Sequence, residues 1–246
     1  MINDITSVEL LSHADDGALK DCGFSPGNIT LFKVGKSRLA SLLSTTAPPL
    51  LGHSSRPGAK WTTFLSHHKV AVSAATAVLL QTFIQDEGGS AFFDQNEDHL
   101  DLRSLMENVK QSQTLTIILS EKVLTRPWCL SEIYTEVKSG IPIVCVRIEG
   151  EPFDFATAKE CLTWLDVNID ASGRRALEDS GVDILDAAFE LSSCIPAMRA
   201  RAFDHKEGKR VREAQLGQIY DDIKAAKFSP NPNSKAEWLQ KRGKRE

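Results

Sequence analysis

Residues 115–132 read Leu-Thr-Ile-Ile-Leu-Ser-Glu-Lys-Val-Leu-Thr-Arg-Pro-Trp-Cys-Leu-Ser-Glu, and their reading decides the fold. The apolar, β-branched run Leu115–Leu119 is a strand that ends at Ser120. Thr125-Arg126-Pro127 then opens a helix, with proline where its missing N–H costs nothing. Trp128 and Glu132 stand four residues apart on that helix and share a face. An aromatic ring and a carboxylate therefore sit together just past the C-terminal end of a strand. In an open α/β sheet that edge is where ligands bind.

The same alternation extends outward on both sides. A first strand is expected over 61–66, a helix over 70–86 with Val72, Val78, Leu79 and Phe83 on its apolar side, and a second strand over 90–93 ending at Asp94. A polar loop, 95–99, leads to a helix over 102–112 with Leu105, Met106 and Val109 facing inward. After the helix at 128–138, Gly140 caps its end and a fourth strand runs over 141–146. The pattern loosens beyond Gly150, with helical stretches at 158–165 and 183–191, a fifth, edge strand at 198–203 and a closing helix at 211–226. Strands alternating with helices at this spacing make βαβ units. The strands are continuously apolar, so both faces of the sheet are covered. The expected fold is a doubly wound, flavodoxin-like, mostly parallel five-stranded sheet with helices on both faces.

Residues 1–58 read as a short helical or partly ordered N-terminal extension, closed by the linker signals Ala47-Pro48-Pro49 and Ser54-Ser55-Arg56-Pro57-Gly58. The main domain spans 59–228, and 229–246 is a basic tail, read as a solvated end. The chain has 246 residues, 41% hydrophobic and 25% charged, with a net charge of −4. Nothing in that balance points to nucleic acid. The five cysteines form no CxxC pair, which fits reduced thiols in the cytoplasm. No apolar run approaches the ~18 residues of a membrane span. Asp4, Glu9, Asp15 and Asp16 replace the basic start of a signal peptide, so none is expected. There is no GxGxxG, which leaves dinucleotide redox chemistry without support.

Four places in register, Thr63-Phe64-Leu65-Ser66, Phe92-Phe93-Asp94, Ser112 with the strand 115–119 and Ser120, and Trp128-Cys129-Leu130-Ser131-Glu132, resemble the Toll/interleukin-receptor (TIR) domain family. The resemblance covers about Trp61 to Val146. Two departures stand out: Leu100-Asp101-Leu102 replaces the glycine usual before the second helix, and Thr62-Thr63 stands where an aspartate is common. Some members of the family cleave NAD with the glutamate matched here by Glu132, and others only bind partners. The resemblance implies a NAD glycohydrolase or cyclase, active on NAD as substrate without a cofactor, and assembling with other TIR domains.

Each residue has a role that its chemistry allows. Cleaving the nicotinamide–ribose bond builds an oxocarbenium-like cation, which a fixed carboxylate at Glu132 stabilises. Nicotinamide leaves as a neutral ring from a cationic one, so a strong general acid is not needed. Trp128 suits a planar pyridinium or adenine, or else a place in the core. Ser66, His67 and His68 are expected after the first strand, at the nucleotide pocket, or as exposed loop residues. Asp94 shapes the pocket or caps the following loop. Adjacent histidines without further ligands do not make a metal site. Two other readings stay open at this point: a non-enzymatic interaction module, in which Glu132 is dispensable, and a hydrolase using Glu132 as nucleophile on a neutral nucleoside. A phospho-acceptor receiver needs clustered acids where Ser66-His67-His68 stands.

Overall fold

The computed structural model of the chain describes residues 56, 58–69, 71–93 and 102–243. The expected N-terminal extension, apart from Arg56 and Gly58, lies outside these residues, as do Asp94 and the loop 95–101. Five strands, β1 (Thr63–His67), β2 (Ala91–Phe92), β3 (Leu115–Leu119), β4 (Ile143–Ile148) and β5 (Ala200–Phe203), form one sheet in the order β2-β1-β3-β4-β5. Every pairing is parallel. The flavodoxin-like α/β architecture expected from the sequence is the architecture observed.

The helices follow in chain order: α1 (Ala71–Asp86), α2 (Leu102–Lys110), α3 (Pro127–Lys138), α4 (Phe155–Thr163), α5 (Leu165–Asn168), α6 (Ala171–Asp179), α7 (Ile184–Cys194), α8 (Lys209–Ala225) and α9 (Lys235–Arg242). Strand side chains alternate between faces, so β1 and β3 feed two separate cores. Phe64, Leu115, Ile117 and Leu119 pack with Leu105 and Val109 of α2, Leu130 and Ile133 of α3, and Leu191 of α7. Leu65, Ile118 and Val146 pack on the other face with Ala77, Leu80 and Ile84 of α1 and Leu216, Ile219 and Ile223 of α8. Burying each such side chain contributes ~1.5–3 kcal/mol.

Three local readings shift. β1 begins at Thr63, two residues after the expected start, because Trp61 makes only an isolated bridge to Ser112 and donates its Nε1–H to Asn108 Oδ1 at 3.2 Å. β1 also runs one residue past the expected end, to His67, so Ser66 and His67 both lie within the strand. On α1 the buried face is Ser73, Thr76, Ala77, Leu80 and Ile84, while Val78 and Leu79 are exposed. Small residues let that helix lie close to the sheet. The tail read as a solvated end winds residues 235–242 into α9, which buries none of its residues while its Trp238 ring packs at 5.8 Å from that of Phe189.

Helix α3 is fixed at both ends. Pro127 occupies its first turn. Beyond its last residue Gly140 takes φ +68°, a left-handed conformation that L side chains avoid. Gly140 N–H bonds the Val137 carbonyl at 3.2 Å and Ile141 N–H the Glu136 carbonyl at 3.0 Å, which is a Schellman closure leading into β4. At the other end α6 presses against Pro127. A Cβ on Gly173 would stand 3.0 Å from Pro127 Cγ and 2.8 Å from Ile169 Cγ1, so only glycine allows this approach.

Candidate active site

The register Ser66↔Ile117 and His67↔Ile118 brings the C-terminal ends of β1 and β3 side by side. Helix α3 starts just beyond β3 and lays Cys129, Glu132, Ile133, Glu136 and Val137 toward the interior. Here two residues distant in sequence meet. Ser66 Oγ donates a hydrogen bond to Glu132 Oε2 at 2.5 Å. Both are buried, Ser66 at 1% and Glu132 at 6% exposure. An O–H···O contact of this length is short and fixes the carboxyl group in direction. The start of α3 is tied to the same strand by Cys129, whose thiol donates to the His67 carbonyl at 3.5 Å. Burial first, and then the nearby Glu132, push the Cys129 thiol far above its ordinary range, which favours the protonated S–H.

Trp128 lies one turn before Glu132 and is 44% exposed, so its ring is not a core residue. The structure thus brings Ser66, Glu132 and Trp128 to one edge of the sheet. His67 does not join them by its side chain. Strand alternation turns its ring to the opposite face, where it meets Phe93 edge-on at 5.5 Å. His68 is half-buried at the end of β1. Burial, then the Arg126 guanidinium and the Lys122 ammonium, lower its proton affinity. Asp94 is outside the described residues.

Sequence reasoning passed over Glu136. It follows Glu132 by four residues, a spacing visible in the sequence, and points the same way. Glu136 is 0% exposed, and among the described residues neither carboxyl oxygen has a hydrogen-bond partner. Burial raises its pKa well above the ordinary carboxyl value; the Arg56 guanidinium opposes this and the Glu132 charge adds to it. The inner face of α3 therefore carries one carboxyl anchored at the sheet edge and a second, unanchored, one turn deeper.

The outer face of α3 is held by polar contacts. Tyr134 Oη donates to Asp186 Oδ2 at 2.7 Å, Lys138 Nζ reaches the same oxygen at 3.1 Å, and Ser131 and Ser180 hydroxyls meet at 3.0 Å. Lys235 of α9 completes the Asp186 cluster at 2.5 Å. A cleft of about 1080 Å³ lies elsewhere, where α9 meets α4 and α7. Its Arg242 already stacks on Trp164 and Trp238 and pairs with Asp166. Among the described residues no group of three or more His, Cys, Asp or Glu could hold a metal ion. No described helix is long and apolar enough to cross a membrane.

No known family's sequence profile matches the chain, and no curated protein matches it. Among solved structures, the chain is similar to the TIR domains in the activated Roq1 resistosome directly recognizing the pathogen effector XopQ. That likeness has 17% identity and a TM-score of 0.44, and covers 66% of this chain and 99% of that one. A likeness at this level transfers no activity.

Proposed function

We propose that the chain is a TIR-type enzyme that cleaves NAD at the nicotinamide–ribose bond, releasing nicotinamide and ADP-ribose or its cyclic isomer. The observation that carries this reading is the Ser66–Glu132 contact: a buried carboxyl, aimed by a hydroxyl at 2.5 Å, at the C-terminal edge of a parallel sheet, one turn from an exposed tryptophan.

The chemistry follows from that arrangement. The C1′–N bond breaks with its electron pair going to the pyridine nitrogen, so nicotinamide leaves neutral and the ribose becomes cationic. Glu132, as an anion with little water around it, stabilises that cation more than it stabilises the ground state. Water, or a ring nitrogen of the adenine in the cyclic product, then adds to C1′; the water route releases one proton. Ser66 holds the carboxyl in one orientation, so little reorganisation accompanies charge development. Trp128 offers a face for the planar pyridinium.

Self-association belongs to the proposal. Trp128 is 44% exposed, and a second copy of the chain would cover the outer side of a ring stacked on it. The deciding experiment is chromatography of NAD incubated with the purified chain at low and high protein concentration, beside Glu132→Ala. Nicotinamide release that the variant lacks supports the enzyme, and a rate per molecule that climbs with concentration supports assembly. A folded wild-type chain that releases none at any concentration leaves an interaction module as the better reading.

A further inference from the structure

The cleft of about 1080 Å³ where α9 meets α4 and α7 is large enough to hold a small organic molecule, and none of its lining residues belongs to β1, β3 or α3. Aromatic and basic side chains share its walls. Phe155, Lys159 and Trp164 come from α4 and its C-terminal cap, and Trp238, Lys241 and Arg242 come from α9. Arg242 gives the cleft a chemical preference. Its guanidinium carbon lies 4.5 Å from the centre of the Trp164 ring and 5.4 Å from that of Trp238, and its side chain is only 10% exposed. Nη2 pairs with Asp166 Oδ1, whereas Nη1 is buried and has no hydrogen-bond partner among the described residues. Ring contacts engage the faces of a guanidinium and leave the N–H groups at its edge still to be satisfied. A buried donor without an acceptor is disfavoured, so its presence at the wall of a cleft calls for a ligand that brings one. The two indoles and Asp166 hold the guanidinium in place, so the ligand meets a donor that is already set.

We propose that this cleft is a binding site for a small aromatic carboxylate, whose anionic group accepts from Arg242 Nη1 and whose ring lies among Phe155, Trp164 and Trp238. A carboxylate suits the arginine edge by charge and by shape. Its single charge also suits the lining. Lys159, Lys241 and Arg242 stand against Glu160 and Glu237, and Asp166, paired with Arg242, brings the balance to zero. One negative charge enters such a site at lower electrostatic cost than two. The aromatic walls supply the apolar part of the contact. The site is separate from the edge where Ser66 and Glu132 meet and does not depend on the NAD-cleaving reading. Because α9 forms one wall and α4 and α7 the other, an occupied cleft ties α9 to the body of the domain.

The test follows the indole N–H signals of the full, ¹⁵N-labelled chain by NMR as benzoate is added, with neutral benzamide and doubly charged phenyl phosphate beside it. The chain has four tryptophans, of which Trp164 and Trp238 line the cleft and Trp61 and Trp128 do not. Benzoate moves the Trp164 and Trp238 signals and leaves the other two in place, while benzamide at the same concentration moves none. Arg242→Gln weakens the benzoate response tenfold or more. That variant also loosens α9, so a second one fills the cleft from the other wall: Ala156→Phe, at an exposed position on α4, leaves the α9 contacts intact and weakens the response equally. Benzamide acting as strongly as benzoate, or a benzoate response that survives in both variants, overturns the site. So do Trp164 and Trp238 signals that no benzoate concentration moves. Phenyl phosphate binding more tightly than benzoate overturns the assignment of the ligand as a carboxylate.

Discussion

Ser66 Oγ donates to Glu132 Oε2 at 2.5 Å, joining the end of β1 to the second turn of α3 across 66 residues of chain. The contact ties the orientation of the proposed catalytic carboxyl to the sheet rather than to a loop. Ser66→Ala removes the O–H that Ser66 donates to Glu132 and leaves the fold in place. Hydrogen bonds to charged groups contribute ~1.5–3 kcal/mol, so kcat/KM for nicotinamide release falls by about 10- to 100-fold. Glu132→Ala abolishes release altogether. Steady-state kinetics on the two variants checks this; a Ser66→Ala enzyme as fast as wild type removes the orienting role.

The sequence carried the central elements because strong local signals agree there. The run Leu115–Leu119 is β-branched and wholly apolar, Pro127 marks a helix start, and Gly140 a helix end; each reads correctly within a residue or two. Elsewhere tertiary partners decide. Trp61 fits a strand by propensity, yet its ring is held by Asn108 and by Phe92 at 5.3 Å outside the ladder. Helix α6 has a short, polar sequence, and forms around the Asp170 cap on Gly173 N–H at 2.6 Å and the buried Leu177. At the site, Trp128 and Glu132 were legible from i,i+4 spacing on a helix. His67 follows Ser66 within β1, and strand alternation turns its ring to the opposite face, against Phe93. Glu136 went unread because glutamate defaults to the surface.

Trp128 separates binding from stability. At 44% exposure its ring adds little to the core, unlike Leu130 two residues on, which is fully buried. Trp128→Ala therefore costs less than ~1 kcal/mol in urea unfolding, while Leu130→Ala costs ~2–5 kcal/mol. The same Trp128→Ala raises KM for NAD by about tenfold through loss of ring stacking, and Trp128→Phe recovers most of it. Equal KM values for Trp128→Ala and wild type place the ring outside the substrate path.

Asp186 gathers Tyr134 and Lys138 of α3 with Lys235 of α9. Partial burial alone would raise its pKa, but hydrogen bonds from Lys235, Tyr134 and Lys138 outweigh that and hold it at about 2. A depressed carboxyl pKa contributes stability above the ordinary value of 3.8 and loses it as pH falls toward 2. The lysines are nearly half exposed, so the cluster contributes only about 1 kcal/mol. Urea unfolding of Asp186→Asn and wild type at neutral pH differs by that amount, and the difference closes between pH 3.8 and 2. A gap that stays constant down to pH 2 assigns the effect to packing instead.

Glu136 has the opposite sign. Its carboxyl is fully buried with neither oxygen bonded among the described residues, and burial raises its pKa well above 4.5. The folded chain keeps the proton that the unfolded chain releases above 4.5, so unfolding releases a proton throughout the window between the ordinary and the raised value. Stability is fully present below that window and is lost as pH climbs through it, with a slope of about 1.4 kcal/mol per pH unit. Glu136→Gln keeps the shape of the neutral acid and cannot ionise. Wild type and Glu136→Gln are then similar in stability at pH 4, and the variant becomes the more stable of the two as pH rises above 4.5. Glu132 one turn away gains as well, because the variant can never place a second negative charge beside it on α3. Chemical denaturation across this range decides the point: parallel curves for the two proteins mean that Glu136 is ionised in the fold and has found a cation.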